Sequence, residues 1–279
     1  MSRDLPSLLL LIPAYNEEAR IGPVLHQYAT WFKEHYKGPF ELVVVLNGCR
    51  DNTLGVVKRV AEEHPSIRYL DIADPIGKGG ALIEGLKLAP LGDWIGYVDA
   101  DGATAPKEFC ELLKRMDQAD CVIASRWLPG SVIRQSQSNK RRFASRVFHF
   151  IVQILFWMNI KDTQCGAKVL RRQAVEKIHS SLRIADMAFD INLLYSLKRA
   201  GCKVVEVPTE WTDIMGSKVV LGKTSLTMLL SALRVRLIYS PFYPLLRPFR
   251  PLETWIYRKL KAPPPLSTQE VDTSHIGKP

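Results

Sequence analysis

Asp99 and Asp101 stand two residues apart where the short apolar run of residues 94–98 stops. Side chains two apart on an extended segment point the same way, so both carboxylates can face one hard cation and a diphosphate beyond it. An isolated Asp-x-Asp pair reads equally well as a surface turn, where Asp is common. Further along the same reasoning, Pro13-Ala-Tyr-Asn-Glu17 ends an earlier apolar run and puts Tyr15 and Glu17 where a base and ribose could be held by stacking and hydrogen bonds. The plainer reading is a loop ahead of a helix that starts on a Glu pair. Asn47 offers a base edge both a donor and an acceptor, or it opens an Asn-Gly turn. Gly77-Lys-Gly-Gly80 starts a helix, bringing free amides and the Lys78 cation toward a phosphate. Arg126, Arg141, Arg142 and Lys218 are further candidate phosphate ligands. Asp190, between Phe189 and Ile191, is either a helix-surface acid or a functional carboxylate.

The elements that must carry these residues alternate. Apolar runs at 8–12, 41–46, 67–72, 94–98 and 121–124 read as buried strands. Between them, helical patterns run to about His35, from an N-cap at Thr53 to about Glu63, from Gly77 to about Leu88, and over 106–116. Strand and helix in turn imply an α/β fold with a doubly wound, mostly parallel sheet and helices on both faces, whose ligands bind beyond the carboxyl ends of the strands. The alternation breaks at 128–140, a polar stretch that reads as a mobile loop. A long apolar helix is expected over 141–160, with Arg142, Arg146, His149 and Gln153 on one stripe. A turn at 162–166, a short strand at 167–170, a helix at 187–199 and a last strand at 204–207 follow.

Composition narrows the class. The chain has 279 residues, 47% hydrophobic and 24% charged, with 38 Lys and Arg against 28 Asp and Glu, a net charge of +10 that favours anionic partners. Its five cysteines are odd in number, scattered and without a Cys-x-x-Cys pair, which fits a reduced cytosolic setting. The first apolar run stops at Pro13, too short for a signal peptide or membrane span. The residues after Lys78 are Gly-Gly, not Ser or Thr, so the loop is no P-loop; nor does Gly-x-Gly-x-x-Gly follow the first strand. From Lys223, leucines at helical spacing interrupted by Arg234 and Arg236 suggest amphipathic helices at a membrane interface over 223–261, and 262–279 reads as a disordered tail.

Pro-Ala-Tyr-Asn-Glu17, Asn-Gly-Cys-Arg-Asp-Asn-Thr53, Gly-Lys-Gly-Gly80, Asp-Ala-Asp101 and Ser-Arg126 occur in the order and spacing of family 2 glycosyltransferases of GT-A fold. From Leu8 nearly to Lys218 the chain resembles that family. Asp99-Ala-Asp-Gly-Ala-Thr104, Asp162-Thr-Gln-Cys-Gly166, Ala188-Phe-Asp190, and Trp211 with Gly216-Ser-Lys218 look most like its dolichyl-phosphate glucosyltransferases, then dolichyl-phosphate mannose synthases. The resemblance implies a nucleotide-sugar domain over 1–222. Pro13, Tyr15, Glu17, Asn47, Lys78, Gly79, Asp99, Ala100 and Asp101 would hold the donor, with Asp99 and Asp101 around Mg2+ or Mn2+. Arg126, Arg141 and Lys218 would take an acceptor phosphate, and Arg126 and Asp190 would serve the transfer. The family usually has Asp where Asn47 stands and often Glu where Asn192 stands, and many relatives carry spanning helices that are missing here.

The expected activity is inverting, metal-dependent transfer of a hexose, glucose from UDP-glucose first, onto a polyprenyl or dolichyl phosphate. It would be carried out by a peripheral protein on the cytoplasmic face of a membrane. Another donor such as GDP-mannose, or a soluble hydroxyl acceptor, fits the same fold. A non-catalytic protein that binds anionic lipid or nucleic acid is the competing class, although no nucleic-acid partner is expected.

Overall fold

Residues with branched and leucine side chains fill the strands because both faces of the sheet they form are covered. The structure, a computed structural model, describes residues 5–134, 139–212 and 221–240, with backbone only at 139–144 and 221–227. In chain order, β1 (Leu8–Ala14) leads to α1 (Ile21–His35), β2 (Phe40–Asn47) to α2 (Thr53–Glu63), and β3 (Ile67–Ile72) to α3 (Gly77–Leu86). Next come β4 (Trp94–Tyr97), α4 (Pro106–Leu113), β5 (Cys121–Ser125), β6 (Val132–Arg134), α5 (Asn139–Phe156) and β7 (Lys168–Arg171). The described chain continues with α6 (Arg172–Ile178), α7 (Phe189–Arg199), β8 (Val204–Pro208), β9 (Glu210–Thr212) and α8 (Leu221–Ile238).

Seven strands form one sheet in the order β3-β2-β1-β4-β7-β5-β8, and β6 pairs with β9 in a small second sheet. Every pairing in the large sheet is parallel except those of β7, which runs against both β4 and β5. Side chains alternate across each strand. In β1, Leu8, Leu10 and Ile12 join the core under α1, α2 and α4, while Leu9 and Leu11 join the core under α3 and α5 to α8. The mostly parallel, doubly wound expectation holds.

Several boundaries differ from expectation, each for a local reason. Thr53 is the first residue of α2, not its cap, because its hydroxyl bonds Asp51 and accepts the Glu17 amide. The stretch read as a loop contains β6, whose Val132 amide donates to the Thr209 carbonyl at 3.1 Å. For the same reason β8 is not the last strand: Glu108 accepts the Glu210 amide at 2.8 Å and holds β9 beside β6. The helix expected over 141–160 stops at Phe156, where Trp157 turns to φ 51 and Lys198 donates to the Phe156 carbonyl at 3.1 Å.

On α5 the His149 and Gln153 end of the polar stripe is half-buried, while Arg146 is exposed. Gln153 donates to the Ile160 carbonyl at 2.5 Å, and the His149 ring meets Trp127 edge-on at 4.7 Å. Val147, Phe150, Ile154 and Trp157 face outward instead. The described end of α8 packs on the core through fully buried Ser231, Ala232 and Val235, with Leu233 and Leu237 exposed behind them. Tyr239 then donates to the Ser181 carbonyl at 3.2 Å. Residues 241–279, with the tail expected at 262–279, lie outside the described residues. Among the described residues no helix is long and apolar enough to cross a membrane. All five cysteines are free thiols.

Candidate active site

The carboxyl ends of β1, β2 and β4 and the start of the reversed β7 meet at one edge, with the first turns of α3 and α7 alongside. Two loops there are laced together by side chains. Asn16 Oδ1 accepts the Arg50 amide at 2.8 Å, Asp51 accepts the Glu18 amide at 3.2 Å, and Glu18 accepts the Asn52 amide at 3.0 Å. The Thr53 hydroxyl takes the Glu17 amide at 2.8 Å. The short polar residues of both loops thus satisfy backbone groups that no strand or helix serves. Pro13 lies half-buried inside β1, and Tyr15 projects beyond it, 41% exposed and open to stacking. Glu17 forms a two-pronged pair with Arg20, at 2.7 and 2.8 Å. Asn47 is buried, and its Oδ1 accepts the Ile76 amide at 2.7 Å, fastening the end of β2 to the turn before α3.

Across the edge, the amide of Val98 donates to Leu11 and prolongs the β1–β4 ladder one step, so Asp99 emerges as the strand leaves the core. Lys78 Nζ lies 2.5 Å from Asp99 Oδ1. Burial pulls that ammonium toward neutrality, but Asp99 and then Asp190 outweigh it, and the net effect is a raised pKa. Asp101 accepts the Ala103 amide at 2.9 Å, and burial followed by repulsion from Asp99 lifts its carboxyl above the ordinary range. Two crowded carboxylates of this kind are relieved by a dication. A Cβ at position 166 would sit 2.0 Å from Asp99 Oδ2, so only glycine lets that carboxylate lie against the β7 approach. Gly79 is equally constrained, since its Cβ would lie 2.4 Å from the Ile184 carbonyl. The donor set is oxygen only, and it fits Mg2+ or Mn2+ held by Asp99 and Asp101.

Beneath these groups lies a buried ion pair. Antiparallel register places Lys168 opposite Tyr97, and Lys168 Nζ contacts Asp190 Oδ1 at 2.6 Å while the Tyr97 hydroxyl donates to the same oxygen. Burial pushes the Asp190 carboxyl up, yet Lys168, Lys78 and Tyr97 together hold it below the ordinary range. Asp190 therefore sits as an ionised member of a closed network on the first turn of α7, neither a surface acid nor an open base. Arg126, at the end of β5, is bound to Asp162 through Nε at 2.7 Å and Nη2 at 2.9 Å, and its guanidinium lies 5.2 Å from the Trp211 ring centre. Burial lowers its pKa and Asp162 raises it by more. Asp162 in turn accepts the Arg126 amide, and Glu206 accepts the amides of Lys161 and Asp162.

Lys78, Asp99, Asp101 and Asp190 are thus one electrostatic cluster, and Arg126 and Arg20 lie within its field. Gly79 and Ala100 are its buried backbone supports. Arg141 and Arg142 fall in the first turns of α5, but their side chains, like all of Lys218, lie outside the described residues. Lys168, Tyr97, Asp51 and Asp162 were not among the residues expected to serve the site. Lys168 had a visible signal: a lone cation inside the apolar run 167–170 requires a buried partner.

Residues 10–179 match the model of the family described as "Glycosyl transferase family 2". A protein of Dictyostelium discoideum named dolichyl-phosphate beta-glucosyltransferase is 33% identical over 244 residues, 83% of this chain and 74% of that protein. The Mus musculus protein of the same name is 33% identical over 246 residues, 83% of this chain and 75% of that one. Among solved structures, glucosyl-3-phosphoglycerate synthase from Mycobacterium tuberculosis, in complex with Mn2+, UDP-glucose and phosphoglyceric acid, superposes with a TM-score of 0.63. Sequence identity there is 18%, over 85% of this chain and 82% of that chain. Mannosyl-3-phosphoglycerate synthase from Rubrobacter xylanophilus gives 0.61 at 16% identity, over 82% and 73% of the two chains. With its GT-A architecture and its paired carboxylates at the strand edge, this chain belongs to glycosyl transferase family 2 and is a glycosyltransferase.

Proposed function

We propose that the protein moves glucose from UDP-glucose onto a polyprenyl or dolichyl phosphate, with inversion, while lying on the cytoplasmic face of a membrane. The outward apolar stripe of α5 is the observation that carries the lipid half of this reading: Phe150 is 65% exposed, Ile154 56% and Trp157 82%. Such a stripe, with Leu233 and Leu237 of the adjoining α8, suits the headgroup and acyl boundary better than water. The names of the relatives support the acceptor and the sugar. UDP-glucose and Mn2+ in the solved neighbour support the donor and the metal class.

In this reading Tyr15 stacks on the base and Glu17, oriented by Arg20, meets the ribose. A divalent cation on Asp99 and Asp101 would offset the charge that builds on the departing diphosphate. Lys78 swings from Asp99 to a phosphate oxygen and adds a second positive charge there. The acceptor phosphate is already largely dianionic at neutral pH, since its second pKa is about 6. No strong base is then needed, which agrees with an Asp190 whose Oδ1 is engaged by Lys168 and Tyr97. Arg126, held flat by Asp162 and Trp211, gives the incoming phosphate a fixed cationic wall; Arg141 and Lys218 are the further cations this reading assigns to it. Radiolabelled UDP-glucose, GDP-mannose and other donors should be offered with polyprenyl phosphate and Mn2+. Label from UDP-glucose in the lipid fraction is the expected result; label only in a soluble acceptor would defeat the lipid reading.

A further inference from the structure

His26 on α1 and Glu63 and His64 at the end of α2 converge far from the carboxylates described above. α2 starts at the carboxyl edge of the sheet with Thr53 and has crossed roughly 15 Å of helix by Glu63, so His64 lies near the opposite edge, just before β3. His26 Nδ1 and His64 Nε2 are 2.9 Å apart, with the rings edge-on at 72°. Glu63 Oε2 lies 3.9 Å from His26 Nε2. The three side chains each offer one ligand atom, all within 4.8 Å of one another. We propose that they form a second metal site, for a late first-row dication such as Zn2+, Ni2+ or Cu2+.

Two neutral imidazoles meeting nitrogen to nitrogen share one N–H between two lone pairs. With a dication between them, the donor ring's proton moves to its other nitrogen, and both facing nitrogens offer their lone pairs to the metal, at about 2.0–2.1 Å each for zinc. The rings need only part by a few tenths of an ångström to admit it. Glu63 is placed to supply the third ligand, or to accept the His26 Nε2–H and fix the ring with Nδ1 toward the metal. Water completes the shell, because the side chains of His26 and Glu63 are 43% and 64% exposed. Donor type separates this site from the first: imidazole nitrogen selects zinc, nickel or copper, whereas the oxygen-only pair Asp99 and Asp101 suits magnesium or manganese. A bound ion would tie α1 to α2, and those are the helices whose first turns carry the laced loops around Glu17 and Asp51. The proposal stands independently of which sugar and acceptor the enzyme uses.

The test uses untagged, full-length protein in millimolar Mg2+, which fills the carboxylate pair. Zn2+ is titrated calorimetrically, and Co2+ is titrated with the visible ligand-field spectrum as the readout. One equivalent of Zn2+ at micromolar affinity or better is expected, with a Co2+ spectrum typical of nitrogen ligands and a raised melting midpoint. His26→Ala and His64→Ala should each weaken binding at least about tenfold, and Glu63→Gln by about tenfold, in the range usual for lost ligands and their partners. His64→Gln, which keeps bulk and polarity, guards against a folding artefact and should also lose the Co2+ spectrum. Zn2+ binding unchanged in the His26→Ala/His64→Ala double variant, or none by the wild type at micromolar concentration, would overturn the site.

Discussion

Lys168 has no exposed surface, and its charge is matched by a single carboxylate oxygen that it shares with Tyr97. Removing one member of such a pair strands the other, so Lys168→Met should cost about 3–5 kcal/mol in urea unfolding. Lys168→Met combined with Asp190→Leu should recover most of that loss, because neither charge of this pair is left without the other. Turnover in folded Asp190→Asn should fall much less than in Asp99→Ala; equal losses would restore Asp190 as a base. Gly166→Ala tests the other side of the site. Its new methyl must push Asp99 aside, so Mn2+-dependent UDP binding should drop at least about tenfold while the melting midpoint stays within a few degrees. Asp162 gives a pH signature. Burial raises its pKa, but Arg126 outweighs this and leaves the folded carboxyl below its unfolded value of about 3.9. Its stabilisation is therefore complete above about pH 4 and is lost as the pH falls toward the depressed folded value. Urea midpoints for Asp162→Asn between pH 2.5 and 6 should show a shallower acid limb than the wild type. At this scale the sequence exposed Asp99, Asp101 and Lys78 through local motifs. It hid the Lys168–Asp190 pair because their meeting depends on a strand register that no local pattern encodes.

On the proposed reading, α5 is the element that would meet the membrane. Its composition was legible as amphipathic, but which side would meet water was not. Residues 145–156 contain a polar stripe and an apolar stripe, and a helix on a core ordinarily turns the apolar one inward. Here Phe148, Val152, Leu155 and Phe156 pack on the core, Gln153 and His149 are drawn to the Ile160 carbonyl and Trp127, and Val147, Phe150 and Ile154 are left exposed beside Arg146. Flotation with anionic vesicles should follow that stripe: Phe150→Glu/Ile154→Glu is expected to lower the bound fraction at least about tenfold without changing the melting midpoint. Unchanged flotation would remove α5 from the membrane contact. Truncation before α8 is the wrong test of the same idea. Ala232, Val235 and the hydroxyl of Ser231, which bonds Asp186, are part of the fold, so the shortened chain should lose stability before it loses any membrane affinity.

For the whole molecule, the alternating half from β1 to β5 was readable because apolar strands and amphipathic helices follow one another in turn. What composition cannot show is that β7, a four-residue strand late in the chain, enters the sheet backwards between β4 and β5. Pairing of Tyr97 with Lys168 and Cys121 with Leu170 is a long-range choice, settled by Lys168 finding Asp190 and by the apolar side chains of β7 finding both cores. That insertion bears on how the protein is made. When β1 to β5 have left the ribosome, β4 and β5 each present an open backbone edge, and both edges wait for the same strand. At ordinary synthesis rates the wait lasts seconds, long enough for two nascent chains on one messenger to join edge to edge. Asp99 and Asp101 follow directly on one of those edges, so a chain captured by its neighbour at that moment would have its paired carboxylates without the β7 residue Lys168 and the α7 residue Asp190 that close the cluster.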